Sequence, residues 1–226
     1  IGIDLGTTNS VAAYTPVNQD SGGPDRPDRI EILDIPQFVD AGAIEERPVL
    51  PSFIYIPSAH EASNGAFSLP WDLENTTIIG EYARQRGSEV PQRMIASAKS
   101  WLCHTMIDRN KAMLPWGRPD EAPGFSPVEA SALILSHIRH AWNFKMAGDD
   151  PNLNMENQEI FLTVPASFDA VARELTVRAA EMAGLPRITL LEEPQAAFYA
   201  WIASSAGQWR EKVRKGDLVI VCDIGG

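Results

Sequence analysis

Two short stretches of the sequence end an apolar run in an aspartate and then turn at a glycine. They are IGIDLG at residues 1–6 and VIVCDIGG at 219–226, and their aspartates are Asp4 and Asp223. Such a turn presents several backbone N–H groups to an anion, and carboxylate oxygens suit a magnesium ion that keeps most of its water. One copy alone is more typical of an ordinary turn. The second copy favours two opposed turns that hold a polyphosphate and its metal between the two aspartates.

The turn after Asp4 is also rich in small and hydroxyl-bearing residues. Gly6 has no Cβ to obstruct an approaching phosphate, and the hydroxyl groups of Thr7 and Thr8 can donate hydrogen bonds to phosphate oxygens. Two similar strand-and-turn units far apart in one chain indicate duplicated halves that face each other.

The hydrophobic pattern predicts the strands and helices that must position these turns. From residue 159 onward strands and helices alternate, which predicts an α/β fold with crossover helices. The strand at 159–164 is largely apolar and is expected to be buried on both faces. Within the segment 15–47, which is rich in Pro, Gly and Asp, only 29–35 has the character of a strand. Predicted strands occupy 1–5, 11–14, 29–35, 52–56, 159–164, 188–191 and 217–224, and predicted helices occupy 126–146, 168–183 and 194–204.

The helix at 126–146 has the clearest sequence signature. Ser126 can cap its first turn, Pro127 suits the first helical position, and Glu129 completes a capping box. Apolar residues then recur at steps of three or four, which places them on one face.

Composition and charge exclude some classes of function. The chain has 226 residues, of which 44% are apolar and 22% charged, with a formal net charge of −11. This acidic balance argues against nucleic acid as a partner, and no apolar run reaches the ~18 residues of a membrane span. The two cysteines, Cys103 and Cys222, have no metal-binding spacing, and a reducing, cytoplasmic setting is expected.

Two other candidate metal sites fail on ligand type or number. Residues 150–161 begin like a calcium loop, but Met155 and Phe161 stand where that loop needs glycine and glutamate. His137 and His140 lie three residues apart on the predicted helix without a third ligand at suitable spacing.

Several segments, in order, resemble the seventy-kilodalton heat-shock chaperone family (DnaK-like), which belongs to the superfamily of actin, sugar kinases and chaperone ATPases. GIDLGTTNS resembles the family's first phosphate loop, and VCDIGG resembles the start of its second. The stretch from Leu162 to Trp201 is similar to the family's longest signature almost without gaps. The other similar segments are RPVLPSFIYIP (47–57), IIGEYARQRG (78–87) and MIASAKSWL (94–102), the last of which resembles the stretch that carries the family's catalytic lysine.

The resemblance implies an α/β, actin-like ATPase (ribonuclease H-like) fold, of which this chain is the first lobe with an inserted α/β subdomain. The core subdomain would comprise 1–47 and 124–215, the smaller inserted subdomain 48–123, and the first strand and phosphate turn of a truncated second lobe 216–226. The implied function is an ATP-binding and hydrolysing lobe of a chaperone for protein folding and the stress response. It would couple the nucleotide state to a peptide-binding domain that is absent here.

The resemblance also assigns residues and ligands. The implied cofactors are ATP or ADP and Mg²⁺, and the implied partners are unfolded or apolar peptide clients, co-chaperones and a nucleotide-exchange factor, with no nucleic acid and no membrane. The implied catalytic residues are Lys99, Glu193 and Asp223; the phosphate-binding residues are Gly6, Thr7, Thr8, Asn9, Gly225 and Gly226; Asp4, Asp223 and Glu193 would hold Mg²⁺, mostly through water; Pro165 and Arg173 would couple the lobe to the peptide-binding domain.

The chain also departs from the family pattern. Glu192 stands where the family usually has Asn, Gln195 stands where it usually has Thr, residues 15–47 are longer than usual, and 103–125 follow the family poorly. Three alternatives therefore stay open: an actin-like filament ATPase, a sugar-kinase-type phosphotransferase and a nucleotide sensor that does not hydrolyse ATP. Because the sequence stops inside the second turn, we expect residues 1–226 alone to bind ATP weakly or not at all.

Overall fold

The computed structural model describes residues 1–16, 30–62, 66–205 and 207–222, which form a mixed α/β structure. The strands are β1 Gly2–Leu5, β2 Asn9–Tyr14, β3 Glu31–Ile32, β4 Ile35–Asp40, β5 Ala43–Arg47, β6 Leu50–Pro51, β7 Ile54–Tyr55, β8 Ile78–Ile79, β9 Met94–Ile95, β10 Phe161–Val164 and β11 Thr189–Glu192. The α-helices are α1 Glu81–Glu89, α2 Ala98–Trp101, α3 Pro127–Trp142, α4 Ala170–Met182, α5 Glu193–Ser204 and α6 Trp209–Lys212. Short helical turns lie at Pro91–Arg93, Asn143–Ala147, Pro151–Leu153 and Met155–Asn157.

The largest sheet has the strand order β11-β10-β1-β2-β3, and β6 also pairs with β2. Strands β1, β10 and β11 are mutually parallel, with Ile3 opposite Leu162 and Val164 opposite Glu192. Strand β2 runs antiparallel to β1. Because parallel strands share their direction, the carboxyl ends of β1, β10 and β11 meet at one edge of the sheet, where ligands of open α/β sheets usually bind.

Two smaller sheets lie in the first half of the chain. Strands β8, β7 and β9 form an antiparallel sheet, and β4 and β5 form a hairpin. The sequence pattern missed this hairpin, since it predicted only 29–35 as a strand. In β4 the residues 35–38 are all buried, while β5 is mostly exposed, so neither strand has the alternation that would reveal it.

Helices α3 and α4 cover the central sheet and confirm two predicted helices. The Ser126 hydroxyl accepts a hydrogen bond from the Glu129 N–H, and the Glu129 carboxylate accepts one from the Ser126 N–H, which is the predicted capping box. Helix α4 is capped by Asp169 and is followed by Gly184 at φ 81°. A positive φ favours glycine, so this residue ends the helix at little cost.

Two predicted features of the strands are wrong. Strand β10 buries Leu162 and Val164, but Phe161 is 36% exposed, because only one face of this part of the sheet is covered by the core. Residues 217–222 form no strand, and Leu218 and Ile220 are 88% and 81% exposed. Within the described ranges no strand pairs with them, and an apolar run without a hydrogen-bonding neighbour cannot form a sheet. The rest of the predicted strand, 223–224, lies outside the described residues.

None of the helices in the described part of the chain has the length and apolar character that crossing a bilayer requires.

Candidate functional site

Asp4 lies near the carboxyl end of β1, at the shared edge of the parallel strands. Its side chain is exposed, and its Oδ1 accepts a hydrogen bond of 2.7 Å from the Thr163 hydroxyl of β10. Sequence reasoning did not identify Thr163. The register of β1 and β10 could have revealed it, because Leu162 stands opposite Ile3 and the next residues of both strands are then neighbours.

The turn at residues 6–9 is tight, and residues from other parts of the chain contact it. A Cβ on Gly6 would lie 2.0 Å from the Asn9 carbonyl oxygen, so this position accepts only glycine without a backbone shift. The Thr8 carbonyl accepts a hydrogen bond of 2.8 Å from the Ser52 N–H. The Thr7 hydroxyl lies 3.4 Å from the Ser100 hydroxyl of α2. The turn therefore contacts the helix that carries Lys99.

Lys99 occupies the second position of α2 and forms an ion pair with Glu193 of α5. The two residues are far apart in sequence, yet their side chains are only 7% and 23% exposed. Ser97, just before α2, has φ 56°, a left-handed conformation that is uncommon for a residue other than glycine. The contact with Glu193, the residue that follows β11, places the Lys99 ammonium group at the carboxyl end of that strand.

Glu192 and Glu193 join β11 to α5, and each carboxylate contacts a different cation. The Glu192 Oε1 accepts a hydrogen bond of 2.7 Å from the Arg173 guanidinium of α4. Arg173 also donates through Nε to the Phe168 carbonyl at 3.1 Å, and the Phe168 N–H donates to the Pro165 carbonyl. Both residues assigned to interdomain coupling are therefore connected to the strand that ends beside Glu193.

The structure thus brings Asp4, Thr7, Lys99 and Glu193 to one region, linked through Thr163 and Ser100. Asn9 begins β2 and contributes its carbonyl to the turn. Asp223, Gly225 and Gly226 lie outside the described residues, so the opposition of the two aspartates stays a prediction.

Carboxylate oxygens at this edge suit magnesium in type. Mg²⁺ is commonly bound by one or two carboxylates, with phosphate oxygens and water completing its shell. Asp4 and Glu193 supply two such groups. The described residues contain no group of three or more His, Cys, Asp or Glu side chains that would form a site from protein ligands alone.

The chain matches known proteins over its full length. A family model described as Hsp70 protein matches residues 68–226. Among curated proteins, the chaperone protein HscA homolog of Pasteurella multocida (strain Pm70) is 29% identical over 238 residues, and that of Methylobacillus flagellatus is 31% identical over 237. Both alignments cover 100% of this chain and 30% of the relative, so the chain spans less than a third of these proteins' length. The chain therefore belongs to the Hsp70 family.

Proposed function

We propose that residues 1–226 contribute the first lobe of an ATP-binding domain in a heat-shock-type chaperone. The fold is of the actin-like, ribonuclease H-like type, with a core from 1–47 and 124–215, an inserted subdomain from 48–123, and 216–226 as the start of a second lobe. The family match supports this proposal, as does the sheet in which β1, β10 and β11 end at one edge.

The observation that carries the proposal is the ion pair between Lys99 and Glu193 next to the turn at residues 6–9. A lysine is rarely buried unless it is paired, and this one is 6% exposed. The neighbouring Ser100 contacts Thr7, so the cation lies on a helix that touches the proposed phosphate loop. Buried cations near a phosphate site offset the charge that develops in phosphoryl transfer.

The ligand would be ATP or ADP with Mg²⁺. Gly6, Thr7, Thr8 and Asn9 would bind the phosphates from one side, and Gly225 and Gly226 from the other. Asp4, Glu193 and Asp223 would hold the metal, mostly through water. When bound, the metal supplies positive charge that neutralises the phosphate oxygens.

The reaction would be hydrolysis of ATP to ADP and phosphate. Lys99 would orient the attacking water and stabilise negative charge on the γ-phosphate. An ammonium group has three N–H donors. Lys99 can therefore keep its contact with Glu193 while it also donates to the water and to a phosphate oxygen. Glu193 in turn fixes the direction of the lysine side chain.

The nucleotide state would be transmitted through Pro165 and Arg173 to a peptide-binding domain that grips unfolded or apolar peptides. Co-chaperones and a nucleotide-exchange factor would regulate the cycle. Both cysteines are free and exposed, a state that a reducing cytoplasm preserves.

Replacing Lys99 by alanine tests the proposal in the protein at its natural length. We expect single-turnover ATP hydrolysis to fall by about 100-fold, the usual cost of losing one group that stabilises transition-state charge, while ATP affinity changes little. Lys145→Ala is the matched control, because Lys145 also forms an ion pair, with Glu46 at 2.7 Å.

Several outcomes would contradict the proposal. An unchanged hydrolysis rate in Lys99→Ala would remove the assigned role of the lysine. ATP-dependent pelleting of the parent protein would indicate a filament, phosphate transfer to a sugar would indicate a kinase, and binding without turnover would indicate a sensor.

A further inference from the structure

We propose that the ion pair between Arg173 and Glu192 keeps Lys99 paired with Glu193, so that Arg173 and Glu192 are positioning residues for the lysine. The consequence for ATP hydrolysis rests on the function proposed above. The pairing itself is a property of the described residues and can be tested without nucleotide.

The two ion pairs meet at consecutive residues. Glu192 is the last residue of β11, and Glu193 is the first residue of α5. The cation for Glu192 comes from α4, and the cation for Glu193 comes from α2. Consecutive Cα atoms are about 3.8 Å apart, so the two negatively charged side chains are attached to neighbouring points of the backbone.

The distribution of charge decides which carboxylate holds Lys99. The Lys99 side chain is 7% exposed and depends on a protein carboxylate, whereas the Arg173 side chain is 30% exposed. While Arg173 neutralises Glu192, the lysine pairs with Glu193 among the described residues. Without Arg173, the uncompensated Glu192 repels Glu193 and competes for the same ammonium group, because like charges repel and an unpaired carboxylate attracts the nearest cation.

Glu192 is also one of the positions at which this chain departs from the pattern it resembles, where asparagine is usual. A neutral amide does not compete for Lys99, so Arg173 would be dispensable for the lysine if residue 192 were uncharged. The proposal therefore predicts a non-additive result: the loss of Arg173 is harmful only when Glu192 is charged.

The experiment uses nuclear magnetic resonance of the 226-residue chain with ¹⁵N-labelled lysine, and it measures how fast the Lys99 ammonium protons exchange with water. Lys99→Arg identifies the signal. We expect Arg173→Ala to accelerate exchange about fivefold, the scale of a half-exposed ion pair. Glu192→Gln and the double variant Arg173→Ala/Glu192→Gln should both exchange within about twofold of the parent chain.

Two further variants control for structure. Arg178→Ala removes another arginine of α4, whose guanidinium donates a hydrogen bond to Asn110 and not to Glu192. This variant should leave the exchange rate of the Lys99 ammonium protons unchanged. Arg173→Lys keeps the positive charge and should resemble the parent chain.

Three results would overturn the proposal. The first is unchanged exchange in Arg173→Ala. The second is a double variant that behaves like Arg173→Ala, which would mean that Arg173 anchors the backbone mechanically and does not partition charge. The third is a parent chain in which the Lys99 signal exchanges as fast as exposed lysines.

Discussion

At Gly6 a single hydrogen atom as side chain allows the turn between β1 and β2 to close. The closest atom to a Cβ placed there is the Asn9 carbonyl oxygen at 2.0 Å, and the Asn9 carbonyl carbon follows at 3.1 Å. Both belong to the backbone of the same turn, so they cannot move aside as a flexible side chain would. The chemistry proposed for residues 6–9 therefore depends on this one position.

Gly6→Ala is expected to destabilise the fold by about 1–3 kcal/mol, the usual cost of forcing an extra group into a packed site. Urea unfolding of the 226-residue chain measures the change. Gly2→Ala is the matched control, because a Cβ on Gly2 has no atom within 4 Å, and its unfolding free energy should stay within about 0.5 kcal/mol of the parent. Equal effects at both positions would contradict the structure of the turn.

The single side chain of His137 is expected to make the free energy of unfolding depend on pH. It is buried in α3, its Nε2–H donates to the Pro36 carbonyl at 2.9 Å, and burial lowers its pKa from 6.5 to about 4. Between these values the unfolded chain binds the proton and the folded chain does not. The free energy of unfolding therefore falls as the pH is lowered through this range.

From this pKa shift we expect the free energy of unfolding to fall by about 2 kcal/mol when the pH is lowered from 7 to 5. Denaturant unfolding at several pH values measures it. In His137→Gln, which does not titrate, this part of the pH dependence should disappear. Parallel curves for both proteins would show that His137 is not a buried neutral group.

At the scale of elements, α3 shows which signals in a sequence are reliable. Its start is fixed by contacts within four residues, since the Ser126 and Glu129 side chains each accept a hydrogen bond from the other residue's N–H group.

Ser126→Ala should therefore lower the free energy of unfolding by about 1 kcal/mol. Thermal unfolding measures this, with Ser136→Ala on the same helix as a control that should change stability by less than half as much.

Local contacts explain what the sequence predicted and what it missed. The capping box of α3 is local and was predicted, whereas the Asp169 cap of α4 is equally local but was not identified from the sequence. The β4–β5 hairpin was missed because burial in β4 is continuous. The strand at 217–224 was predicted from apolar residues alone, yet a strand also needs a neighbour, which composition does not provide.

The candidate site shows the same difference between features set by local sequence and contacts between distant segments. Asp4, Thr7, Lys99 and Glu193 were assigned from motifs and from the resemblance. Their connecting residues Thr163 and Ser100 lie inside segments that resemble the family, but the resemblance assigned them no role. Their contacts become visible only when β10 and α2 are placed beside β1 and its turn. The pairing of Arg173 with Glu192 likewise joins α4 to β11 and has no signal within either segment alone.

At the scale of the whole molecule, apolar side chains remain at the surface after the core has formed. Helix α5 is largely apolar but has no buried residue, and Leu218 and Ile220 are more than 80% exposed. Contiguous exposed apolar surface favours association with other surfaces.

Ile220→Lys is expected to reduce self-association of the 226-residue chain without changing its free energy of unfolding by more than about 0.5 kcal/mol, because the side chain makes no core contact. Sedimentation velocity and urea unfolding measure the two quantities. Ile138→Lys, a fully buried position in α3, should by contrast unfold the protein. A large loss of stability in Ile220→Lys would show that residues 217–222 are packed.

The pairing of β1 with β10 also has a consequence for biosynthesis. Gly2 stands opposite Phe161, so about 160 residues separate partners in this ladder. A ribosome adds roughly 5–20 residues per second, and one side of β1 therefore waits on the order of 10 s for its partner. Contacts between such distant segments also form slowly. During translation, the edge of β1 that pairs with β10 therefore stays open to pairing with another chain until residue 161 has been added.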